Sequence, residues 1–194
     1  PQKHRHNRRQ RQMCIRDRTS LRLAVSLVPL AFLAAAPSTA ANAALAVLVV
    51  AMVTDFLDGY LARTWNVTSR LGQVLDSIAD KLVLTSLLIL ALFHGMFGVA
   101  GTAIALLLLL REVWIGGLRE GLGQQSSLLA ASKTAKWKTA LQFTGLAVVF
   151  ADVAFRFGLG AVSEFALAPA LVLSLVSAWH YSRQGLLALA QKEG

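Results

Sequence analysis

The chain of 194 residues is 56% hydrophobic and only 15% charged, with a mean hydropathy of +0.58. A soluble domain carries about 25% charged residues, and here the charges fall between long apolar runs, which excludes an ordinary water-soluble domain and favours several membrane spans. The one cysteine, Cys14, excludes a disulfide framework and a multi-cysteine metal site, and the net charge of +9 is read as cytoplasmic loop charge with no nucleic-acid partner.

In chain order, residues 1–18 (PQKHRHNRRQRQMCIRDR) form a basic tail expected to be disordered, and Met13–Arg18 looks like translated sequencing-adapter sequence. Residues 15–43 have the outline of a secretory signal: a basic start, the apolar run 23–36, then small residues at Ala34–Ala36 and Ser38–Ala40. Five further spans behind it favour a retained first span. A span needs about 20 mostly apolar residues, and six candidates follow, roughly 21–37, 41–62, 72–93, 97–118, 138–156 and 164–184. No internal repeat and no linker divides them, so residues 19–190 are expected to form one all-α, polytopic membrane domain.

The lysines and arginines select an orientation with both termini in the cytoplasm. That side collects the basic tail, Arg63, Arg70, the 111–138 region, Arg183 and Lys192, and the opposite side has only Arg156. His94 and His180 are read as structural, and Trp65, Trp114, Trp137 and Trp179 as interfacial. Gly116-Gly117, Gly121 and Gly123 are read as points of close helix packing or as the end of span four.

The segment 55–80 concentrates four of the ten acidic residues, Asp55, Asp58, Asp76 and Asp80, at the end of span two and the start of span three. At 100° per residue, Asp55, Asp58, Gly59 and Ala62 share one helical face, and Gly72, Asp76 and Asp80 share another. A short connection at 64–71 makes the helices neighbours, so that four carboxylates can enter one pocket. Such a cluster needs a counter-charge. Interhelical ion pairs with Arg63, Arg70 and Lys81 are the bland reading; four carboxylates beside three small residues favour a metal. Oxygen-only ligands suit Mg²⁺ first and Mn²⁺ next, and such a metal usually meets phosphate. Gly59, Ala62 and Gly72 leave room for a ligand against the backbone, and Arg63 can pair with phosphate.

These residues read D-x2-D-G-x2-A-R-x8-G-x3-D-x3-D, with every fixed position of the CDP-alcohol phosphatidyltransferase signature present. A chance match is rarer than roughly one in 10⁸ per start position, and the chain resembles that family over about 19–190. Thr54-Asp55, Ala62–Asn66, Asp80-Lys81, Arg111-Glu112, Leu118–Glu120 and Ser132–Thr139 resemble its bacterial branch acting on glycerol 3-phosphate. Only Thr19–Arg22 remains of the opening stretch usual in the family.

The resemblance implies transfer of a phosphatidyl group from CDP-diacylglycerol to sn-glycerol 3-phosphate, with release of CMP. Asp55, Asp58, Asp76 and Asp80 would hold the metal, Asp80 would act as general base, and the CDP moiety would lie against Asp55, Asp58, Gly59, Ala62, Arg63 and Gly72. A dianionic acceptor needs cations, for which Arg111, Lys133, Arg119, Lys136 and Lys138 are candidates, Arg111 and Lys133 first. For any one of them a topology-setting loop charge is the bland reading. The resemblance further implies a homodimer in the bacterial inner membrane, its site at the cytoplasmic face. Serine, inositol phosphate and phosphatidylglycerol stay open as acceptors. A carboxylate-lined transporter would also place carboxylates in helices but does not require Arg63 and the small residues at fixed spacing. A membrane prenyltransferase would carry its Asp-rich motifs on separate, more distant helices, with about nine spans rather than six.

Overall fold

The computed structural model describes residues 24–65, 70–122 and 133–193, with side chains described at 24–54, 78–122 and 137–187. Two compact units divide the chain at His94 and Gly95. All regular structure among the described residues is helical.

In the first unit, residues 24–27 are helical and pass into a 3-10 turn at Val28–Phe32. Helix α1 follows at Pro37–Trp65 and α2 at Arg70–Phe93. The expected span 21–37 is therefore not one continuous helix. Pro29 stands at the start of the 3-10 turn, where its fixed φ is tolerated but its missing N–H cannot serve an α-helical ladder. Pro37 opens α1 in the position where proline suits a helix best. The buried face of α1 runs Ala40, Ala41, Ala44, Val47 and Leu48, and α2 answers with Ala79, Val83, Leu87, Leu90 and Ala91. Both spacings follow the helical period. The two helices pack on each other and on the 3-10 turn.

Helix α2 ends as expected at Phe93, and Gly95 takes the left-handed conformation with φ +60°. His94 closes the unit as a structural residue. Its Nε2 lies 3.2 Å from the Phe32 carbonyl oxygen, and its ring meets Phe93 edge-on at 5.3 Å.

The second unit holds α3 (Val99–Leu122), α4 (Lys133–Phe155), the short α5 (Ala161–Phe165) and α6 (Ala168–Glu193). The expected last span, 164–184, is thus broken near its start and runs on past its predicted end. Pro169, second in α6, accounts for the restart. Helices α3 and α4 both pack on α6 and on α5. Their core comprises Ala105, Leu108, Ile115 and Leu122 of α3, Leu146, Val149 and Phe150 of α4, and Ala170, Ala178 and Tyr181 of α6.

Close approach in this unit is made at isolated glycines. A Cβ on Gly145 would lie 2.7 Å from the Ala166 carbonyl oxygen and 2.8 Å from Leu167 Cδ2, and one on Gly101 would lie 2.9 Å from the Glu164 carbonyl oxygen. One on Gly185 would press on Leu118 at 3.0 Å. Gly116, Gly117 and Gly121 instead face open space. Among the described residues nothing packs against them, and α3 runs through all three to Leu122; Gly123 lies outside the described residues.

The first turn of α3 is capped from a distance. Glu164 Oε1 accepts the Ala100 N–H at 2.9 Å, which satisfies one of the orphan donors of a helix start and places an acidic residue at its positive end. The turn after α4 is built similarly: Asp152 Oδ1 accepts the Leu159 N–H at 2.9 Å, with Arg156, Gly158 and Gly160 at positive φ.

Among the described residues, four stretches are long and apolar enough to cross a membrane: Pro37–Thr54, Val99–Leu122, Trp137–Phe155 and Ala161–Leu187. Large apolar residues including Leu110, Val113, Val172 and Trp179 are exposed along them, a surface suited to lipid rather than water. The chain is a polytopic all-α membrane protein.

Candidate active site

The aspartate motif is divided between the two long helices of the first unit. Asp55, Asp58, Gly59, Ala62 and Arg63 fall within α1, and Gly72, Asp76 and Asp80 within α2. Both stretches are continuous helix in helices that pack together, so the 100° spacing used to group the residues applies to the backbone that carries them. Of the eight, Asp80 is among the described side chains: it is half-buried, one residue beyond the fully buried Ala79. The side chains of Asp55, Asp58, Gly59, Ala62, Arg63, Gly72 and Asp76 lie outside the described residues. Just before the motif, the Thr54 hydroxyl donates to the Val50 carbonyl one turn back.

No group of three or more His, Cys, Asp or Glu that could hold a metal occurs among the described residues, a set that includes only one of the four aspartates. The chemistry of the donor set nonetheless fits a hard divalent cation. It offers carboxylate oxygens alone, with no imidazole or thiolate in 55–80.

A second polar constellation occupies the core of the other unit. Arg111 follows the apolar run Leu106–Leu110 and is buried, as its position suggested. Its Nε donates to the Ser174 carbonyl oxygen at 3.2 Å, its Nη2 to Ser177 Oγ at 2.8 Å and its Nη1 to Glu112 Oε1 at 2.9 Å. The same Glu112 oxygen accepts from Lys138 Nζ on α4. The side chains of Arg111 and Lys138 are only 8% and 11% exposed, a setting in which charges must be paired. Arg111, Glu112 and Lys138 thus form one ionic cluster held against α6.

Of the other basic candidates, Arg119 is half-buried, and its Nε is buried without a partner among the described residues. Lys133 and Lys136 belong to α4, with side chains outside the described residues. Gln142 Oε1, Ser174 Oγ and Tyr181 OH are likewise buried without a described partner. Sequence reasoning did not single out Ser174, Ser177 or Gln142. The available signal was hydroxyl and amide groups on faces that are otherwise apolar, with Ser174, Ser177 and Tyr181 recurring at helical spacing in α6.

A helical membrane chain with paired aspartates on adjacent helices corresponds to a known class. The profile of the CDP-alcohol phosphatidyltransferases matches residues 19–179, and the chain belongs to that family. Among curated proteins it is similar to the CDP-diacylglycerol–glycerol-3-phosphate 3-phosphatidyltransferase of Cereibacter sphaeroides, 46% identical over 108 residues, which are 55% of this chain and 48% of that protein. The enzyme of the same name from Haemophilus influenzae is 41% identical over 100 residues, covering 50% of this chain and 53% of the relative. That of Bacillus subtilis is 31% identical over 134 residues, 69% and 68% of the two chains. The chain spans about half the length of the first two of these relatives.

Proposed function

We propose that the protein transfers the phosphatidyl group of CDP-diacylglycerol to sn-glycerol 3-phosphate, releasing CMP and forming phosphatidylglycerophosphate. The observation that carries this reading is the complete eight-position motif on α1 and α2, together with relatives whose names state that reaction. The 1-hydroxyl oxygen of glycerol 3-phosphate forms a bond to the phosphorus bearing diacylglycerol. The bond from that phosphorus to the CMP oxygen breaks, and the hydroxyl proton passes to the Asp80 carboxylate. Asp55, Asp58 and Asp76, with Asp80 sharing, would hold Mg²⁺ or alternatively Mn²⁺. When bound, the cation supplies neutralisation of phosphate charge and alignment of the leaving group.

Around these groups, Gly59, Ala62 and Gly72 leave space for the cytidine and Arg63 pairs with its diphosphate. For the acceptor phosphate the proposed cations are Arg111, Lys133, Arg119, Lys136 and Lys138. An uncharged acceptor would not require this basic set. The same reading places six spans in the bacterial inner membrane as a homodimer, both termini and the site on the cytoplasmic side, where the basic loop residues concentrate.

The test is CMP release by purified protein supplied with CDP-diacylglycerol and, in turn, glycerol 3-phosphate, serine, inositol phosphate or phosphatidylglycerol, with and without Mg²⁺. Release dependent on glycerol 3-phosphate and Mg²⁺, and abolished in a folded Asp80→Asn variant, is expected. Turnover with a different acceptor alone would reassign the substrate, near-wild-type turnover in Asp80→Asn would remove it as base, and no release with any acceptor would overturn the reading.

A further inference from the structure

We infer that the connection 155–165 between α4 and α6 is an interfacial element immersed in lipid, seated at the boundary between acyl chains and headgroups of one leaflet. Phe155, Phe157, Leu159, Val162 and Phe165 are 38–64% exposed, and the rings of Phe155 and Phe157 stand 5.5 Å apart. Five large apolar side chains turned outward in so short a stretch mark an interaction surface. Only Arg156–Gly160 separates the apolar stretches Trp137–Phe155 and Ala161–Leu187. The surface therefore stands where two spans meet the edge of the hydrocarbon, and lipid is the neighbour at hand.

The polar groups of the segment are turned the other way. Ser163 is buried, its hydroxyl donating to the Gly160 carbonyl at 2.9 Å. Glu164 is half-buried and accepts the Ala100 N–H, while Ala161, Val162 and Phe165 of the same short helix are exposed. Helix α5 is thus inside out by the standard of a water-facing helix. The backbone follows suit. The N–H groups of Phe157 and Leu159 go to the Asp152 carbonyl and carboxylate, at 3.3 and 2.9 Å, and those of Val162, Glu164 and Ala166 to the carbonyls of Leu159, Gly160 and Ser163. A loop in water can leave such donors to solvent, whereas one in lipid must satisfy them internally. Arg156, the one cation of the segment, is exposed, and its stem is long enough to hold the charge among headgroup phosphates while the rings lie deeper.

The experiment attaches a nitroxide to single cysteines of the full chain in a Cys14→Ser background, reconstituted in phosphatidylglycerol–phosphatidylcholine nanodiscs. Collisions are measured with oxygen, which concentrates in hydrocarbon, and with a water-soluble nickel chelate. Labels in Phe157→Cys and Val162→Cys should collide more often with oxygen than with the chelate, as should one in Val113→Cys, exposed within the α3 span. If Phe157→Cys does not fold, Val162→Cys carries the test. More frequent collision with the chelate would place the segment in water and overturn the inference. Protection from both reagents would overturn lipid as the occupant, and dipolar broadening between labels would name a second copy of the chain instead. Val162→Asp supplies an independent readout. It should lower the melting temperature in nanodiscs, since a carboxylate is costly in lipid, whereas a water-facing surface would accept it with little change; an unchanged melting temperature would overturn the inference.

Discussion

Replacing Arg111 by lysine keeps the positive charge and removes the fork, and so separates two roles the residue could have. The guanidinium makes three contacts at distinct nitrogens: 3.2 Å to the Ser174 carbonyl, 2.8 Å to Ser177 Oγ and 2.9 Å to Glu112 Oε1. A lysine Nζ on a shorter reach can replace one of them, with Glu112 the strongest competitor because the contact is charge-assisted. Both ties to α6 are then lost. Interhelical hydrogen bonds in membrane proteins average about 0.6 kcal/mol with a maximum near ~1.7, which puts the loss at about 1–3 kcal/mol. At about 2–4 °C per kcal/mol for a chain of this size, the melting temperature should fall by roughly 2–12 °C. Thermal unfolding of Arg111→Lys against wild type, in the same detergent and followed by loss of the monodisperse chromatographic peak, measures this. An unchanged melting temperature would refute the assignment of Arg111 as a tie between α3 and α6.

Three other outcomes can be measured on the same preparation. Gly145→Ala should lower stability by about 1–3 kcal/mol through overpacking, because its methyl would meet the Ala166 carbonyl at 2.7 Å; Gly116→Ala, facing open space, should be neutral or stabilising by up to ~1 kcal/mol. Equal effects at both sites would count against the packing of α4 on the α5–α6 junction. Glu164→Gln preserves an acceptor for the Ala100 N–H and should cost only about 0.3–1 kcal/mol, whereas Glu164→Ala leaves that donor orphaned and should cost about 1–2 kcal/mol; thermal unfolding decides the ranking. Chelation of divalent cations should abolish CMP release with recovery on adding Mg²⁺, and full activity in excess chelator would remove the metal from the proposed mechanism.

The aspartate motif was legible because a fixed spacing of charges and small residues is a pattern of sequence alone, and it falls within continuous helix in α1 and α2 as expected. Span ends were less legible. Hydropathy counts apolar length but not backbone continuity, so 21–37 read as one helix although Pro29 and Pro37 both marked interruptions. Pro169 gave the same warning at the start of α6. The burial of Arg111 could be read from the apolar run before it, yet its partners lie 63 and 66 residues away, and serines in an apolar helix announce no partner. Glycines misled for a related reason. The Gly116-Gly117 pair resembles a packing motif, but a neighbouring chain decides which glycine is crossed, and here it crosses the solitary Gly101, Gly145 and Gly185.

The distance along the chain between Arg111 and α6 also has a meaning in time. At synthesis rates of about 5–20 residues per second, the 63 residues separating Arg111 from Ser174 take roughly 3–13 s to emerge. For that interval a guanidinium bound for an apolar bundle has neither of its final α6 partners. Glu112, the next residue made, is present from the start, so the Arg111–Glu112 ion pair can form before translation delivers the two α6 partners that join it in the finished structure. Its loss would then show in the yield of newly inserted protein, before any effect on the finished molecule is measured.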